Sequence, residues 1–279
     1  MSGRADGKWV FCCGMQRSGS TLQFQIAARL VEDAGLGRRV EWVEPRKFPE
    51  LRLKYASQDG FKVFKNHVCT DEMAAEFARG DAVGIYSYRD VRDVFVSNMN
   101  KYSSRFDQFW YAGFLETTLQ NYQRWTRLPR VLVSRYEAMT QDLPGEVRRI
   151  ASHLGLAVDE EACRRIADEY SMEKQKERIE RFSKGGALVE GYAGARYDPE
   201  SMLHTDHIQG GRVGGWQGKL SEREVALLES AAGDWLREHG YALSVPAPRR
   251  MAYALRDTAT RAARKLLARL RLSQAPSAS

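Results

Sequence analysis

The stretch of sequence that decides the fold is Val10-Phe11-Cys12-Cys13-Gly14-Met15-Gln16-Arg17-Ser18-Gly19-Ser20-Thr21-Leu22. It begins with a short apolar run typical of a buried strand, continues through a Gly-x-x-x-x-Gly loop, and passes into a helical pattern from Ser20. Such a loop aims backbone N–H groups and a helix N-terminus at a bound anion. Ser20 stands where a nucleotide triphosphatase carries its lysine, and the nearest cation is Arg17. The stretch therefore predicts a site for an anionic nucleotide but not for ordinary ATP or GTP hydrolysis, the alternative being a plain strand-to-helix turn.

Short β-branched or aromatic segments alternate with helical patterns along the chain. The predicted strands are Trp9–Cys13, Val40–Val43, Phe61–Phe64, Val83–Tyr88 and Val131–Ser134. The predicted helices are Ser20–Glu32, Asp71–Ala78, Val91–Asn100, Phe109–Arg127, Glu146–Leu154, Asp159–Lys184 and Ser221–His239. This alternation predicts an α/β fold with a central parallel sheet flanked by helices, in a P-loop nucleotide-binding topology. We expect the ligand at the carboxyl ends of the strands.

Charge and composition limit the classes of function. The net charge of the 279 residues is +7, and the excess of cations lies entirely in the segment from residue 249 to the end. The rest of the chain is neutral, so we expect no nucleic-acid partner. The four cysteines have no metal-ligand spacing, so we expect no metal site. No apolar run has the length of a signal peptide or a membrane span, and we expect a cytoplasmic protein.

The predicted domain organisation has three parts. Residues 1–8 form an N-terminal tail, residues 9–245 a single domain, and residues 246–279 a basic amphipathic helix with a disordered end. The sequence leaves the oligomeric state open.

Two further motifs follow predicted strands. Lys65 and His67 end the third strand and point to one side if the chain stays extended, as an electrophile and a general base would. Arg89, Asp93 and Ser97 share a face if a helix begins after the fourth strand, and an arginine fork beside a serine hydroxyl suits a phosphate. The alternatives are a surface lysine with a hydrogen-bonded histidine in the first case, and an ordinary Arg–Asp pair in the second.

Together, these motifs resemble the sulfotransferases of bacterial or cytosolic type that use 3′-phosphoadenosine 5′-phosphosulfate (PAPS). Arg17-Ser18-Gly19-Ser20-Thr21 matches the family pattern [KR]-[ST]-G-[ST]-[ST], and Lys65-Asn66-His67 is similar to the family's Lys-Thr-His. Arg89 and Ser97 have the spacing of the family's arginine and serine. Two later segments, Arg135-Tyr136-Glu137 and Gly211-Arg212-Val213-Gly214-Gly215-Trp216, are similar to the family's Tyr-Glu-Asp and Gly-x-x-Gly-x-Trp stretches. By itself, Trp216 is better interpreted as an anchor for its loop than as a base-stacking residue.

The resemblance implies a role for each matching residue. The implied nucleotide contacts are Arg17, Ser18, Gly19, Ser20, Thr21 and Leu22 at the 5′-phosphosulfate, Arg89, Ser97, Gly211 and Arg212 at the 3′-phosphate, and Tyr136 elsewhere on the nucleotide. His67 is the implied base, with Lys65 and Arg17 neutralising charge on the leaving nucleotide, and Glu44 is the alternative base. The implied product nucleotide is 3′,5′-diphosphoadenosine (PAP), formed without a metal.

The acceptor is not fixed by the sequence. A small molecule, a glycan or a glycolipid would each supply the hydroxyl or amine group. Two rival functions remain open, namely a P-loop kinase that phosphorylates a small molecule, and a non-catalytic, membrane-peripheral nucleotide-binding module.

The C-terminal segment has its own pattern. Apolar residues recur at helical spacing, at Met251, Leu255, Ala259, Ala262, Leu266 and Leu270. With the surrounding arginines they predict a cationic amphipathic helix over residues 249–272. Such a helix either lies on an anionic membrane surface or packs on the body or a partner.

Overall fold

A computed structural model describes residues 8–40, 42, 44–185, 188–190, 196–206, 208 and 211–273, with side chains as far as residue 262. The chain divides into two compact units. The first consists of Met1–Arg89 and Glu116–Gly211, and the second of Asp90–Leu115 and Arg212–Ser279. Most of the predicted N-terminal tail and the last six residues lie outside the described part, so the predicted domain boundaries stay predictions.

The first unit is built on a parallel sheet. Its strands are β1 (Trp9–Gly14), β2 (Gly37–Arg39), β3 (Phe61–Lys65), β4 (Ala82–Tyr88) and β5 (Val131–Arg135). They lie in the order β2-β3-β1-β4-β5, and every neighbouring pair is parallel. Because β1 lies between β3 and β4, the carboxyl ends of these three strands meet at one edge of the sheet, where ligands of such sheets bind. An antiparallel pair, β6 (Val189–Glu190) and β7 (Arg196–Tyr197), lies outside this sheet.

Helices connect the strands and continue beyond them. In chain order they are α1 (Ser20–Asp33), the short 3-10 helix Pro45–Lys47, α2 (Phe48–Lys54), α3 (Asp71–Arg79), α4 (Val91–Lys101), α5 (Phe106–Tyr111), α6 (Phe114–Thr126), α7 (Tyr136–Gln141), α8 (Leu143–His153), α9 (Glu160–Glu169), α10 (Met172–Ser183), α11 (Glu222–Ala231), α12 (Gly233–Glu238) and α13 (Ala247–Ser273). Among the described residues, no helix is both long enough and apolar enough to cross a membrane.

The two faces of the sheet bury different side chains, because alternate residues of a strand point to opposite sides. Val10 and Cys12 of β1 join a mainly aliphatic cluster to which α1, α8 and α9 contribute. Phe11, between them, lies in an aromatic cluster, with its ring centroid 5.3 Å from that of Phe48 and 5.8 Å from that of Trp125. Both faces are therefore covered, and the predicted α/β fold with a helix-flanked parallel sheet is confirmed.

Some predicted elements were wrong in position or length. The second strand pairs with β3 through residues 37–39, before the predicted Val40–Val43, of which residues 41 and 43 lie outside the described part of the chain. The predicted helix Phe109–Arg127 is interrupted at Gly113, whose φ of 75° lies in the left-handed region that ends helices. The predicted helix Asp159–Lys184 is also two helices, because Ser171 caps a new one by accepting a hydrogen bond from the Lys174 N–H. The helical spacing of apolar residues does not reveal such breaks, because the same spacing resumes in the next helix.

The second unit contains a buried ionic network around Arg92. Its guanidinium lies 2.8 Å from a carboxylate oxygen of Asp90 and 2.8 Å from one of Glu229, and all three side chains are buried. Glu229 also accepts hydrogen bonds from the backbone N–H groups of Ser244 and Val245. These contacts tie the start of α4 to α11 and to the segment that precedes α13.

Candidate active site

The loop between β1 and α1 has the geometry of an anion cradle. Arg17 (φ 65°) and Gly19 (φ 91°) are both left-handed, so the backbone curls around Ser18. At Gly19 a Cβ atom would lie 3.1 Å from the Tyr136 ring, so both the backbone angle and the available space favour glycine. Among the described residues, no side chain caps α1 and no acidic residue occupies its first turn. The N-terminus of α1 thus favours an anionic ligand.

Ser18 braces this loop against the sheet. Its hydroxyl is fully buried and lies 2.6 Å from the Met15 carbonyl oxygen and 2.8 Å from the Ser87 hydroxyl. Gly14 also packs against β4, since a Cβ atom there would lie 2.7 Å from the Ser87 carbonyl oxygen. The Ser18 side chain is therefore directed into the protein. Ser20 and Thr21, which follow in the first turn of α1, are also buried.

Lys65 and His67 lie side by side at the end of β3. The Lys65 ammonium is 3.3 Å from Nε2 of His67, and Nδ1 of His67 is 2.9 Å from the Gly14 carbonyl oxygen. A carbonyl oxygen only accepts hydrogen bonds, so Nδ1 carries the proton and donates it. Nε2 is then the nitrogen with a lone pair, which accepts from Lys65. The histidine ring is thereby fixed to the anion-binding loop with its basic nitrogen defined.

The alternative base, Glu44, is exposed and lies just before the 3-10 helix.

Arg89 and Tyr136 lie against the loop between β1 and α1. The Arg89 guanidinium is buried, with its carbon 4.3 Å from the Tyr136 ring centroid. One of its nitrogens donates to the Arg17 carbonyl oxygen at 3.4 Å, and the Tyr136 hydroxyl donates to the Gly211 carbonyl oxygen at 3.0 Å. The first unit thus brings Arg17, Arg89, Tyr136 and Gly211 together from four separate parts of the sequence.

The second unit carries the remaining predicted contacts. Ser97 is half-buried on α4, and Arg212 is exposed at the start of the loop Arg212–Trp216. The Asp93 carboxylate fixes that loop by accepting hydrogen bonds from the N–H groups of Gly214 and Trp216, both at 2.9 Å. The Trp216 ring is buried beneath the Arg92 guanidinium at 4.2 Å, in agreement with its interpretation as an anchor.

Asp93 has a different role from the predicted one. Its position four residues after Arg89 suggested a shared face with Arg89 and Ser97, whereas its carboxylate bonds the loop near Trp216. Gln209 and Gly210, which precede this loop, lie outside the described residues.

The thiols near the loop are poor nucleophiles at neutral pH. Burial raises the pKa of the Cys12 and Cys13 thiols far above their ordinary value, and it raises the pKa of Cys69 to about 11. The described residues contain no group of three or more histidine, cysteine, aspartate or glutamate side chains that would hold a metal ion.

Comparison with known proteins identifies the chain. The family model described as the sulfotransferase domain matches residues 8–229. The chain belongs to the sulfotransferase family. Membership confirms the predicted enzyme class, a PAPS-dependent sulfotransferase, and the matched range contains segments of both compact units.

Solved structures share the fold of this sulfotransferase. Retinol dehydratase in complex with androsterone and the inactive cofactor PAP has a TM-score of 0.55 and 23% identity, over 85% of this chain and 82% of that chain. Retinol dehydratase in complex with retinol and PAP has a TM-score of 0.55 and 22% identity, over 88% and 85%. Mouse sulfotransferase SULT7A1 complexed with PAP has a TM-score of 0.61 and 15% identity, over 92% and 90%. At these identities the likeness concerns the fold, and comparison with curated proteins gives no match.

Proposed function

We propose that this sulfotransferase moves the sulfuryl group of PAPS to a hydroxyl group of a small organic acceptor, with His67 as the base. The observation that carries the proposal is the defined tautomer of His67, whose Nδ1 donates to the Gly14 carbonyl while Nε2 faces the Lys65 ammonium. A base oriented in this way at an anion-binding loop suits proton removal from an acceptor hydroxyl. The androsterone and retinol complexes of retinol dehydratase support a small-molecule acceptor.

The catalytic roles follow from the charges at the loop. PAPS supplies an activated sulfuryl group on a phosphate leaving group. In the reaction the Lys65 ammonium moves from Nε2 of His67 to the bridging oxygen, which releases the single lone pair of Nε2. Nε2 then takes the acceptor proton as the acceptor oxygen bonds to sulfur and the bond from sulfur to the bridging oxygen breaks. Lys65 and Arg17 offset the negative charge that grows on that oxygen, as cations do in phosphoryl transfer.

The proposed nucleotide contacts come from separate parts of the chain. The curled loop and the first turn of α1, from Arg17 to Leu22, bind the 5′-phosphosulfate through N–H groups and the arginine. Arg89, fixed on the Tyr136 ring, binds the 3′-phosphate together with Ser97. Gly211 and Arg212 complete the nucleotide site. The acceptor of the sulfuryl group would alternatively be a carbohydrate or a lipid-linked molecule.

Calorimetric titration with PAP and with ATP tests the nucleotide assignment against a kinase function. We expect PAP to bind and ATP to bind much more weakly, because Arg89 and Ser97 serve a 3′-phosphate that ATP lacks. Arg89→Ala should lower the affinity for PAP about tenfold to a hundredfold, through loss of a charge-assisted hydrogen bond. Tight binding of ATP with no binding of PAP would favour the kinase.

We also propose that α13 contacts an anionic membrane surface. Met251 and Leu255, one turn apart, are 64% and 67% exposed, although α13 packs on α11 through its other side. The segment from residue 249 onward is strongly basic. An exposed apolar stripe on a basic helix favours the interface of an anionic bilayer.

A further inference from the structure

The turn that carries His67 is fastened by α6. The side-chain amide of Asn121 donates a hydrogen bond to the His67 carbonyl oxygen and accepts one from the Cys69 N–H at 3.1 Å. Four residues further along the same helix, Nε1 of the fully buried Trp125 donates to the same carbonyl at 3.1 Å. Three hydrogen bonds from one helix thus converge on a turn of only a few residues.

These three hydrogen bonds, called the clamp below, hold a turn that has no regular secondary structure. His67 and Val68 follow the end of β3 and precede α3, in a bend that has neither strand nor helix geometry. Buried backbone groups require partners. An asparagine amide resembles a peptide group, with one donor and one acceptor side, and Asn121 uses both sides on this turn.

The clamp and the loop fix the histidine at two independent points. The carbonyl oxygen of His67 is bound by α6, and its ring is bound by the Gly14 carbonyl oxygen at 2.9 Å. With both the backbone and the ring secured, Nε2 has one position relative to the anion-binding loop. A catalytic group must stay within about 0.5 Å of its productive position, and a displacement of about 1 Å can cost about a hundredfold in rate.

We propose that Asn121 is a positioning residue that acts through His67, an inference that rests on the proposed role of His67 as the base. In this role Asn121 acts on the backbone of the base and contacts neither substrate. It therefore affects the rate of proton removal and leaves nucleotide binding unchanged.

The test compares Asn121→Asp with Gln120→Glu. Asn121→Asp keeps the shape of the side chain but places a carboxylate oxygen against the His67 carbonyl, so the donor is lost and the two oxygens repel. Gln120 is the preceding residue of α6 and is exposed, so the same change from amide to carboxylate leaves the turn intact. We expect Asn121→Asp to lower kcat about tenfold to a hundredfold, with the KM for PAPS and the Kd for PAP unchanged, and Gln120→Glu to match the wild type.

A double-mutant cycle separates positioning from a merely structural role. If Asn121 acts through His67, then Asn121→Asp causes no further loss of rate in the His67→Ala background. Asn121→Gln, which keeps both amide functions, should recover part of kcat and serves as the variant of choice if Asn121→Asp fails to fold.

Wild-type kcat in Asn121→Asp, or equal losses in both backgrounds, would overturn the inference while leaving the role of His67 standing. Wild-type activity in His67→Ala would instead overturn the proposed function on which the inference rests.

Discussion

At the scale of the residue, His67 shows how a fold converts a common side chain into a defined base. An isolated imidazole exchanges its proton between two nitrogens, but here one nitrogen meets a carbonyl oxygen and the other an ammonium group. Only one tautomer satisfies both partners. The order and spacing of Lys65 and His67 suggested proximity, but the partner that fixes the tautomer is Gly14, 53 residues earlier in the chain.

The contacts of two other residues of the site, Ser18 and Asn121, could not be predicted from the sequence. The loop motif marked Ser18 as a nucleotide contact, but a motif does not say which side chains turn inward, and the hydroxyl of Ser18 bonds Met15 and Ser87. Asn121 carried no signal, because its partners lie in a turn 52 and 54 residues away. Long-range hydrogen bonds of single polar side chains follow from tertiary packing and leave no periodic trace.

At the scale of the element, adjacent charged residues at the start of α4 make different structural contacts. Asp90 caps the helix by accepting from the Arg92 N–H at 2.9 Å, and Arg92 turns inward to Glu229 and Trp216. Asp93 holds the loop Arg212–Trp216. The sequence predicted a helix start with a phosphate-binding arginine, and the bracing functions of the neighbouring charges became visible only with the fold.

The first turns of α13 are anchored through Asp257. This carboxylate accepts hydrogen bonds from Nε1 of Trp110, the hydroxyl of Tyr111 and Nε of Arg261, each at 2.9 Å. Asp257→Asn should lower the free energy of unfolding by about 2 to 4 kcal/mol at pH 7, because buried donors lose a charged acceptor. Urea denaturation measures the effect. Asp234→Asn, the same change at a fully exposed carboxylate, should stay within about 0.5 kcal/mol of the wild type.

The effect of Asp257→Asn depends on pH. Burial raises the pKa of Asp257, but the hydrogen bonds from Arg261, Trp110 and Tyr111 outweigh burial, so the pKa lies below its ordinary value of 3.8. A carboxylate with a lowered pKa stabilises the fold fully above the unfolded value, and the contribution disappears as the pH falls through the folded value. The difference in the free energy of unfolding between the wild type and Asp257→Asn should therefore stay constant from pH 7 to pH 5 and shrink below pH 3.8. A difference independent of pH would contradict the ionic role.

At the scale of the whole molecule, the sheet was the most predictable feature. Short strands alternating with helices restrict the chain to a few parallel arrangements, and the loop after β1 indicates the ligand edge. The element boundaries were less predictable, because Gly113 and Ser171 interrupt patterns whose apolar spacing continues on both sides. The division into two compact units had no signature in the sequence, since each unit is built from separate parts of the chain.

The uneven charge of the molecule gives a prediction about membranes. The protein should sediment with phosphatidylserine vesicles at low salt and much less with phosphatidylcholine vesicles, because each cation near an anionic surface contributes about 1 kcal/mol. Leu255→Glu, on the exposed apolar face of α13, should greatly reduce sedimentation. Thr260→Glu adds the same charge at an exposed polar position and should have a much smaller effect.

Equal sedimentation of Leu255→Glu and the wild type, or no sedimentation of the wild type with phosphatidylserine, would exclude the proposed membrane contact of α13.

The role of His67 is tested most directly by the transfer of sulfur label from PAPS to a panel of phenols, alcohols and sugars, measured for the wild type and for His67→Ala. We expect a labelled product and PAP with the wild type. With His67→Ala we expect a rate about a hundredfold to ten-thousandfold lower, while calorimetry still detects PAP binding. Transfer at the wild-type rate by His67→Ala would contradict the assignment of His67 as the base.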